Sequence, residues 1–349
     1  MCALRDEIHE QPTVLERMLE RQEAVREIAR HVATWGRRGP GLRQVLLAAR
    51  GTSDNAGQYG KYLLGAANGL PVALAAPSLY TLYGAPPRLA GALVLGISQS
   101  GASPDICAVI EDARRQGAPT VVLTNAPDSP LARVAEHVVD LGAGPERSVA
   151  ATKTYTAELL ALALLSAHLA EDAERLEALR AVPEAVAAAL ALDAPIAQRA
   201  ERYLYMPHCA VVGRGYNYAT ALEIALKVKE LTYVGATPYS SADFRHGPIA
   251  VVDRAYPVIL VAPSGAVYAD VVDLLDALRE REAEIIVLSD REEALAAART
   301  ALRLPGGVPE WLSPIVAAIP GQLLAYHLAL AKDLDPERPR GLRKVTETR

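Results

Sequence analysis

Ala92-Leu93-Val94-Leu95-Gly96-Ile97, running into Ser98-Gln99-Ser100-Gly101-Ala102-Ser103 and then Pro104-Asp105-Ile106, decides how this chain is read. The apolar hexapeptide has the length and composition of a strand buried on both faces, and Pro104 opens a helical pattern. The turn between them holds three hydroxyls and a glycine. Backbone N–H groups at a helix start then point into the turn, where an anion such as phosphate binds. The same hexapeptide also fits a plain N-capping turn with Ser103 as the cap, and alone it does not separate the two readings.

A second junction of this kind lies upstream, where Val45-Leu46-Leu47-Ala48-Ala49 meets Arg50-Gly51-Thr52-Ser53-Asp54-Asn55. In an α/β sheet both turns lie at carboxyl ends of parallel strands, the edge at which ligands bind. Neither turn has the Walker lysine pattern or a complete G-x-G-x-x-G, so a nucleotide is not indicated.

Further strand-like runs at 72–76, 119–124 and 137–141 complete a doubly wound parallel sheet. Val14, Met18, Leu19, Val25, Ile28 and Val32 mark one amphipathic helix over 12–34, and Ala/Leu-rich helices are expected at 152–171 and 173–192. Asp193-Ala194-Pro195 marks a boundary, after which the pattern repeats. Ala210-Val211-Val212-Gly213-Arg214-Gly215 echoes the first strand and its turn; Val258 to Ala266 echoes the strand ending at Ser98; and 285–290 echoes 120–125. Duplication is the simplest reading. The second copy has Ala262, Pro263 and Val267 where the first has Ser98, Gln99 and Ser103, so phosphate is expected in the first copy alone.

At 349 residues the chain can bury two cores. Its composition, 51% hydrophobic and 22% charged with a net charge of -5, is globular and argues against nucleic acid, since no basic run is interleaved with aromatics. Cys2, Cys107 and Cys209 have no paired spacing and are expected to be reduced, two of them buried, with no metal site. The acidic start at Asp6, Glu7 and Glu10 is unlike a signal sequence, and the apolar runs read as core rather than membrane, so a cytoplasmic protein is expected.

The second half carries reactive side chains. Glu223, Lys227 and Glu230 are spaced four then three apart and share one helical face, with Leu222, Leu226 and Tyr233 on a neighbouring one. The trio reads either as a surface salt bridge or as a carboxylate base beside an ammonium that neutralises developing charge. His246 stands at a Gly-Pro turn, Asp243-Phe244-Arg245-His246-Gly247-Pro248, ahead of a strand expected at 249–252. The other six histidines read as structural or surface residues, and no G-x-S-x-G elbow is present. In the apolar run 314–331, Gln322, Tyr326 and His327 mark a helix expected to face the site. The polar tail 338–348 alone would be a frayed end.

Assembled, these pieces resemble the double sugar-isomerase (SIS) domain family, which includes the isomerase part of glucosamine-6-phosphate synthase and free-standing glucosamine-6-phosphate deaminases. The resemblance spans nearly the whole chain. It begins at Glu7-Ile8-His9-Glu10-Gln11-Pro12 and runs through Gly51-Thr52-Ser53, Ser98-Gln99-Ser100-Gly101, Ala151-Thr152-Lys153, Ala221-Leu222-Glu223, Lys229-Glu230, His246-Gly247-Pro248 and Gln322-Leu323-Leu324-Ala325-Tyr326-His327. It implies an α/β fold of two tandem doubly wound SIS subdomains, flavodoxin-like three-layer sandwiches, with an ordered C-terminal tail. The expected division is an N-terminal helical segment at 1–40, a phosphate-binding SIS domain at 41–193, a SIS domain with the catalytic residues at 194–332, and a tail at 333–349 that closes the site.

The resemblance implies that Gly51, Thr52, Ser53, Ser98, Gln99, Ser100, Ser103 and Val149 bind the sugar phosphate. It makes Glu230 the base shuttling a proton between C1 and C2, Lys227 its cationic neighbour, Glu223 an acid beside them, His246 the ring-opening residue from a neighbouring subunit, and Lys344 the lysine of the closing tail. A homodimer with no cofactor and no metal follows. Arg50, Ala102 and Asp243 depart from the synthase, which has cysteine, glutamate and glutamate there. No N-terminal glutaminase is expected ahead of this start, and Cys2 is not expected to be a nucleophile.

The expected activity is conversion of glucosamine 6-phosphate and water to fructose 6-phosphate and ammonia. Two alternatives are an isomerase or deglycase for a related amino-sugar or glycated-amine phosphate, and a non-catalytic sugar-phosphate sensor. A sensor needs the phosphate turn but has no use for a base.

Overall fold

The computed structural model describes residues 2–38 and 41–344; Met1, Gly39 and Pro40 of the expected N-terminal segment and 345–349 of the expected tail lie outside the described residues. The chain forms two compact units. The first-sheet unit takes 13–146, 153–181 and the end of the chain from 343; the second-sheet unit takes the N-terminal residues to 12, 147–152 and 182–342.

The first-sheet unit is built on β1 (Gln44–Ala48), β2 (Val72–Leu74), β3 (Ala92–Ile97), β4 (Thr120–Thr124) and β5 (His137–Asp140), all parallel, in the order β2-β1-β3-β4-β5. β3 and β4 are buried along their whole length, as strands must be when helices cover both faces of a parallel sheet. Ala48, Val94 and Val122 pack on Ile106, Val109, Ile110 and Ala113 of the helix Pro104–Arg115. The helix Lys153–Leu169 is buried on all sides from Lys153 to Ala167, which explains why its sequence is apolar all round rather than on one stripe.

The second-sheet unit has β6 (His208–Gly213), β7 (Gly235–Ser240), β8 (Pro257–Val261), β9 (Glu284–Ser289) and β10 (Thr300–Arg303), again all parallel. Its order, β7-β6-β8-β9-β10, repeats that of the first sheet strand for strand. The duplication read from the sequence is therefore a duplication of topology. Val212, Val258, Leu260 and Val287 pack against Val271, Leu274, Leu275 and Leu278 of the helix Tyr268–Glu280. Among the described residues, Glu310–Ala331 is the helical stretch long and apolar enough to cross a membrane by length and composition, and it is largely buried against protein.

Several local expectations are corrected. The helix expected over 12–34 is two helices, Gln11–Glu20 and Glu23–Arg38, with the Gln22 side chain donating to the Leu19 carbonyl at the break. The one expected over 173–192 is also two, Ala173–Leu179 and Val182–Leu190, because Pro183 lacks an N–H and fits only a first turn. Residues 249–252 are not a strand: Pro248–Val251 form a 3-10 turn behind Gly247, whose φ of 131° breaks the extended path. Of the cysteines, only Cys209 is fully buried, while Cys2 is half-buried and donates to Glu337.

Nor do Gln322, Tyr326 and His327 mark a site-facing surface. Gln322 accepts from Gln11 Nε2 at 2.8 Å, His327 bonds Asp193, and Tyr326 lies edge-on to the His327 ring. Asp193 also takes Arg5 at 2.7 Å and His9 at 2.9 Å, so one carboxylate ties the first helix, Ala3–His9, to the helices Asp193–Ala200 and Ser313–Ala331. Burial opposes its ionisation, yet the hydrogen bonds from His327, Arg5 and His9 hold its pKa at about 2. A depressed carboxyl stabilises the fold above its unfolded value and loses that effect as pH falls toward the folded one. Asp193→Asn is therefore expected to lower the thermal midpoint clearly at pH 6 and by progressively less from pH 4 to pH 2, read by calorimetry at each pH.

Candidate active site

In the first-sheet unit the strand order reverses between β1 and β3, the place where a sheet of this kind opens a crevice. Both hydroxyl-bearing turns lie there. Ser98 follows β3 and accepts from the Gly101 N–H at 3.2 Å, and Ser100 accepts from the Ala102 N–H at 3.3 Å. Gly101 has φ 59°, and a Cβ there would lie 2.0 Å from Ser129 Oγ, so the turn can close only at glycine. Ser103 occupies the N-cap of Pro104–Arg115 in extended conformation but makes no side-chain cap bond. Its hydroxyl is not used as a cap. The Ser103 hydroxyl and the Gln99 amide have no hydrogen-bond partner among the described residues, and both are half-buried.

The turn after β1 starts the helix Gly51–Asn68. Gly51 is exposed and Thr52 half-buried, whereas Ser53 is buried and donates its hydroxyl proton to Glu158 at 2.7 Å. An anion needs donors, so Ser53 offers this crevice its backbone N–H rather than its side chain. Lys344, in the same unit, lies 3.1 Å from Glu146, whose buried carboxylate also accepts from Thr154 N at 3.2 Å and Oγ1 at 2.7 Å. The sequence signal for Glu146 was weak: an acid directly after the Gly/Pro segment 142–145, between strand and helix.

In the second-sheet unit, Glu223, Lys227 and Glu230 lie on the helix Asn217–Thr232. Lys227 Nζ is 2.7 Å from Glu230 Oε2 and 3.5 Å from Glu223 Oε1. The side chains of Lys227 and Glu223 are 1% exposed and that of Glu230 22%. This is not a solvated surface pair. It is a buried cation between two acids, of which only Glu230 reaches solvent.

Where that helix ends, Tyr233 takes a left-handed φ of 60°, its hydroxyl accepts from the Arg340 N–H at 2.8 Å, and the Arg340 guanidinium stacks 3.8 Å over its ring. Val149 is half-buried in a segment whose Arg147 and Ser148 N–H groups donate to the buried Glu7 carboxylate. His246 is exposed and its ring has no partner among the described residues. The preceding short helix Ser241–Arg245 is pinned by Asp270, which takes Ser241 Oγ and, at 2.9 Å, Arg245. Among the described residues no three His, Cys, Asp or Glu side chains cluster as a metal site.

The structure thus brings together Glu223, Lys227 and Glu230 in one unit, and Gly51, Thr52, Ser98, Gln99, Ser100 and Ser103 along one sheet edge in the other. Among the described residues His246 makes no hydrogen bond or ion pair with the trio of its own unit.

The SIS domain family profile matches residues 42–167 and 204–332. A glutamine-fructose-6-phosphate aminotransferase (isomerizing) of Thermococcus kodakarensis is 36% identical over 350 residues, covering 97% of this chain and 56% of that protein. The chain spans about half the length of the curated relatives it matches. Among solved structures, the C-terminal domain of the Francisella tularensis glucosamine-fructose-6-phosphate aminotransferase superposes with a TM-score of 0.86 at 28% identity, covering 97% of this chain and 98% of that one. A protein described as a phosphosugar isomerase from Silicibacter pomeroyi DSS-3 superposes with a TM-score of 0.84 at 35% identity, covering 96% and 100%.

Removing one partner from a buried pair leaves an uncompensated charge, at a cost of about 3–5 kcal/mol, against about 1 kcal/mol or less for an exposed pair. Lys227→Met is expected to show the larger loss in urea unfolding. Adding Glu223→Gln is expected to restore more than half of it.

Proposed function

Because the chain belongs to the SIS domain family, we propose that it is an amino-sugar phosphate isomerase of the deaminating kind, acting on glucosamine 6-phosphate. The observation that carries this reading is Glu230, a carboxylate with one end in solvent and the other fixed 2.7 Å from a buried ammonium, in a chain whose other sheet presents a hydroxyl-lined turn for phosphate. In the proposed reaction Ser98, Gln99, Ser100, Ser103, Thr52 and the N–H groups from Gly51 to Ser53 hold the phosphate. Val149 contacts the sugar, and His246 assists ring opening.

Glu230 then takes the C2 proton of the open aldose and returns it to C1. The C1 aldehyde becomes an alcohol and the C2 amine an imine. Water adds to that imine and ammonia leaves, giving fructose 6-phosphate. Lys227 offsets negative charge on the oxygen as the proton moves, Glu223 balances Lys227, and Lys344, drawn from Glu146, closes on the sugar. Exposed His246, with no partner in its own chain among the described residues, is proposed to serve the site of a second copy in a homodimer.

Glu230→Gln is expected to bind substrate normally and to lose exchange of the C2 proton with deuterated solvent, because the base acts only in the chemical step. Exchange at the wild-type rate would move the base elsewhere, with Glu223 first. Ser100→Ala/Ser103→Ala removes two hydrogen bonds to a charged group, each about 1.5–3 kcal/mol, and is expected to raise KM by about a hundredfold or more. Offering glucosamine 6-phosphate, galactosamine 6-phosphate and a glycated lysine phosphate, and assaying free ammonia or amine, identifies the substituent released; no turnover of any would favour a sensor.

Equal mixing and refolding of His246→Ala with Glu230→Gln is expected to recover part of the activity that each lacks, since mixed dimers then contain one complete site. No recovery would place His246 in its own subunit's chemistry.

A further inference from the structure

The two halves enter their sheet crevices with the same dipeptide, Arg50-Gly51 after β1 and Arg214-Gly215 after β6. Gly51 and Gly215 have φ values of 57° and 58°, a left-handed conformation natural to glycine, so the two turns bend alike. In each half the arginine reaches across the crevice to an aspartate in the first turn of the helix that follows the third strand. Arg50 Nε is 2.8 Å from Asp105 Oδ2, and Arg214 Nε is 3.9 Å from Asp270 Oδ2.

From this common frame the halves diverge. In the second, Arg214 Nη1 donates to Ser240 at 3.2 Å, Asp270 is shared with Arg245 and Ser241, and Ser264 gives both its hydroxyl and its N–H to Asp290. The polar groups there are satisfied within the fold. In the first, Asp105 is fully buried and spends its oxygens on the Ile106 N–H, at 2.9 Å, and on Arg50 Nε. Nη1 and Nη2 of Arg50 have no hydrogen-bond partner among the described residues, and the side chain is 50% exposed. Asp54 lies within the reach of its charge; burial raises the Asp54 pKa, and Arg50 pulls it back.

Within 50–55 and 98–105 Arg50 is the single cation. Hydroxyls and backbone N–H groups give a phosphate neutral donors, whereas a guanidinium fork gives two parallel charge-assisted bonds, each roughly twice as strong. An arginine already fixed through Nε loses little freedom when that fork closes.

We propose that Arg50 is the specificity-determining residue for the phosphate: pinned by Asp105, it closes its Nη1/Nη2 fork on the phosphate held by the Ser98–Ser103 turn. The proposal rests on the phosphate reading of that turn and adds the group that distinguishes a dianion from a neutral or singly charged substituent.

The test titrates the full chain with inorganic phosphate by calorimetry and measures KM and kcat for glucosamine 6-phosphate. Arg50→Met is expected to weaken phosphate binding at least tenfold and to raise KM by more than it lowers kcat, because the phosphate is remote from C1 and C2. Arg50→Lys keeps the charge without the fork and is expected to regain only part of the loss; full recovery would overturn the fork. As Arg50→Met strands the buried Asp105 carboxylate, Arg50→Met/Asp105→Asn removes both charges, and its thermal midpoint confirms folding. A folded double variant binding phosphate as tightly as wild type, while Ser100→Ala/Ser103→Ala loses it, would overturn the role of Arg50 and leave the turn standing. Wild-type phosphate binding by the serine variant would bring down the phosphate reading and this proposal with it.

Discussion

Everything in this molecule follows from covering parallel strands on both faces. A strand such as β3, buried from Ala92 to Ile97, offers its two ends and nothing else to chemistry. Polar side chains therefore collect where strands stop and helices begin. In each sheet the reversal of strand order places two such ends side by side with their connections leaving in opposite directions. The hydroxyl turn after β3 and the Arg-Gly turn after β1 are consequences of that geometry.

A second regularity concerns charge. Burial of a lone ion is prohibitive, and each buried ionic group described here has a partner drawn from elsewhere in its unit. Asp105 takes Arg50 across the sheet crevice, Glu146 takes Thr154 and Lys344, Glu7 takes two backbone N–H groups near residue 148, and Asp193 takes one arginine and two histidines. Lys227 differs in that Glu223 and Glu230, the acids beside it, lie on its own helix. That pairing holds a buried cation between two acids of one helix, with Glu230 the partly exposed member of the trio.

The duplicated halves show how one scaffold takes two roles. Both keep the turn glycine and the arginine-aspartate link. Where the hydroxyls remain, the arginine fork is unsatisfied; where they are gone, Ser240, Ser241 and Arg245 fill the same network and steady the short helix ahead of His246. In the second crevice these polar groups serve the fold; in the first, on the proposed reading, they are left to serve a ligand.

The sequence by itself determined the fold class, the duplication and which side chains stand as candidates for chemistry. Those rest on short-range signals: apolar runs of strand length, glycines at turns, and helical spacing of Glu223, Lys227 and Glu230. What it left open was decided by contacts between residues far apart in the chain. Whether the trio was a solvated pair or a buried one depended on what packs over its helix, and spacing carries no such information. The hydroxyl of Ser53 was indistinguishable in sequence from that of Ser103 until Glu158, 105 residues later, took its proton. Gln322 and His327 looked like site residues because polar groups in an apolar helix demand partners, and only the tertiary structure showed those partners to be Gln11 and Asp193, which hold the fold together rather than a substrate.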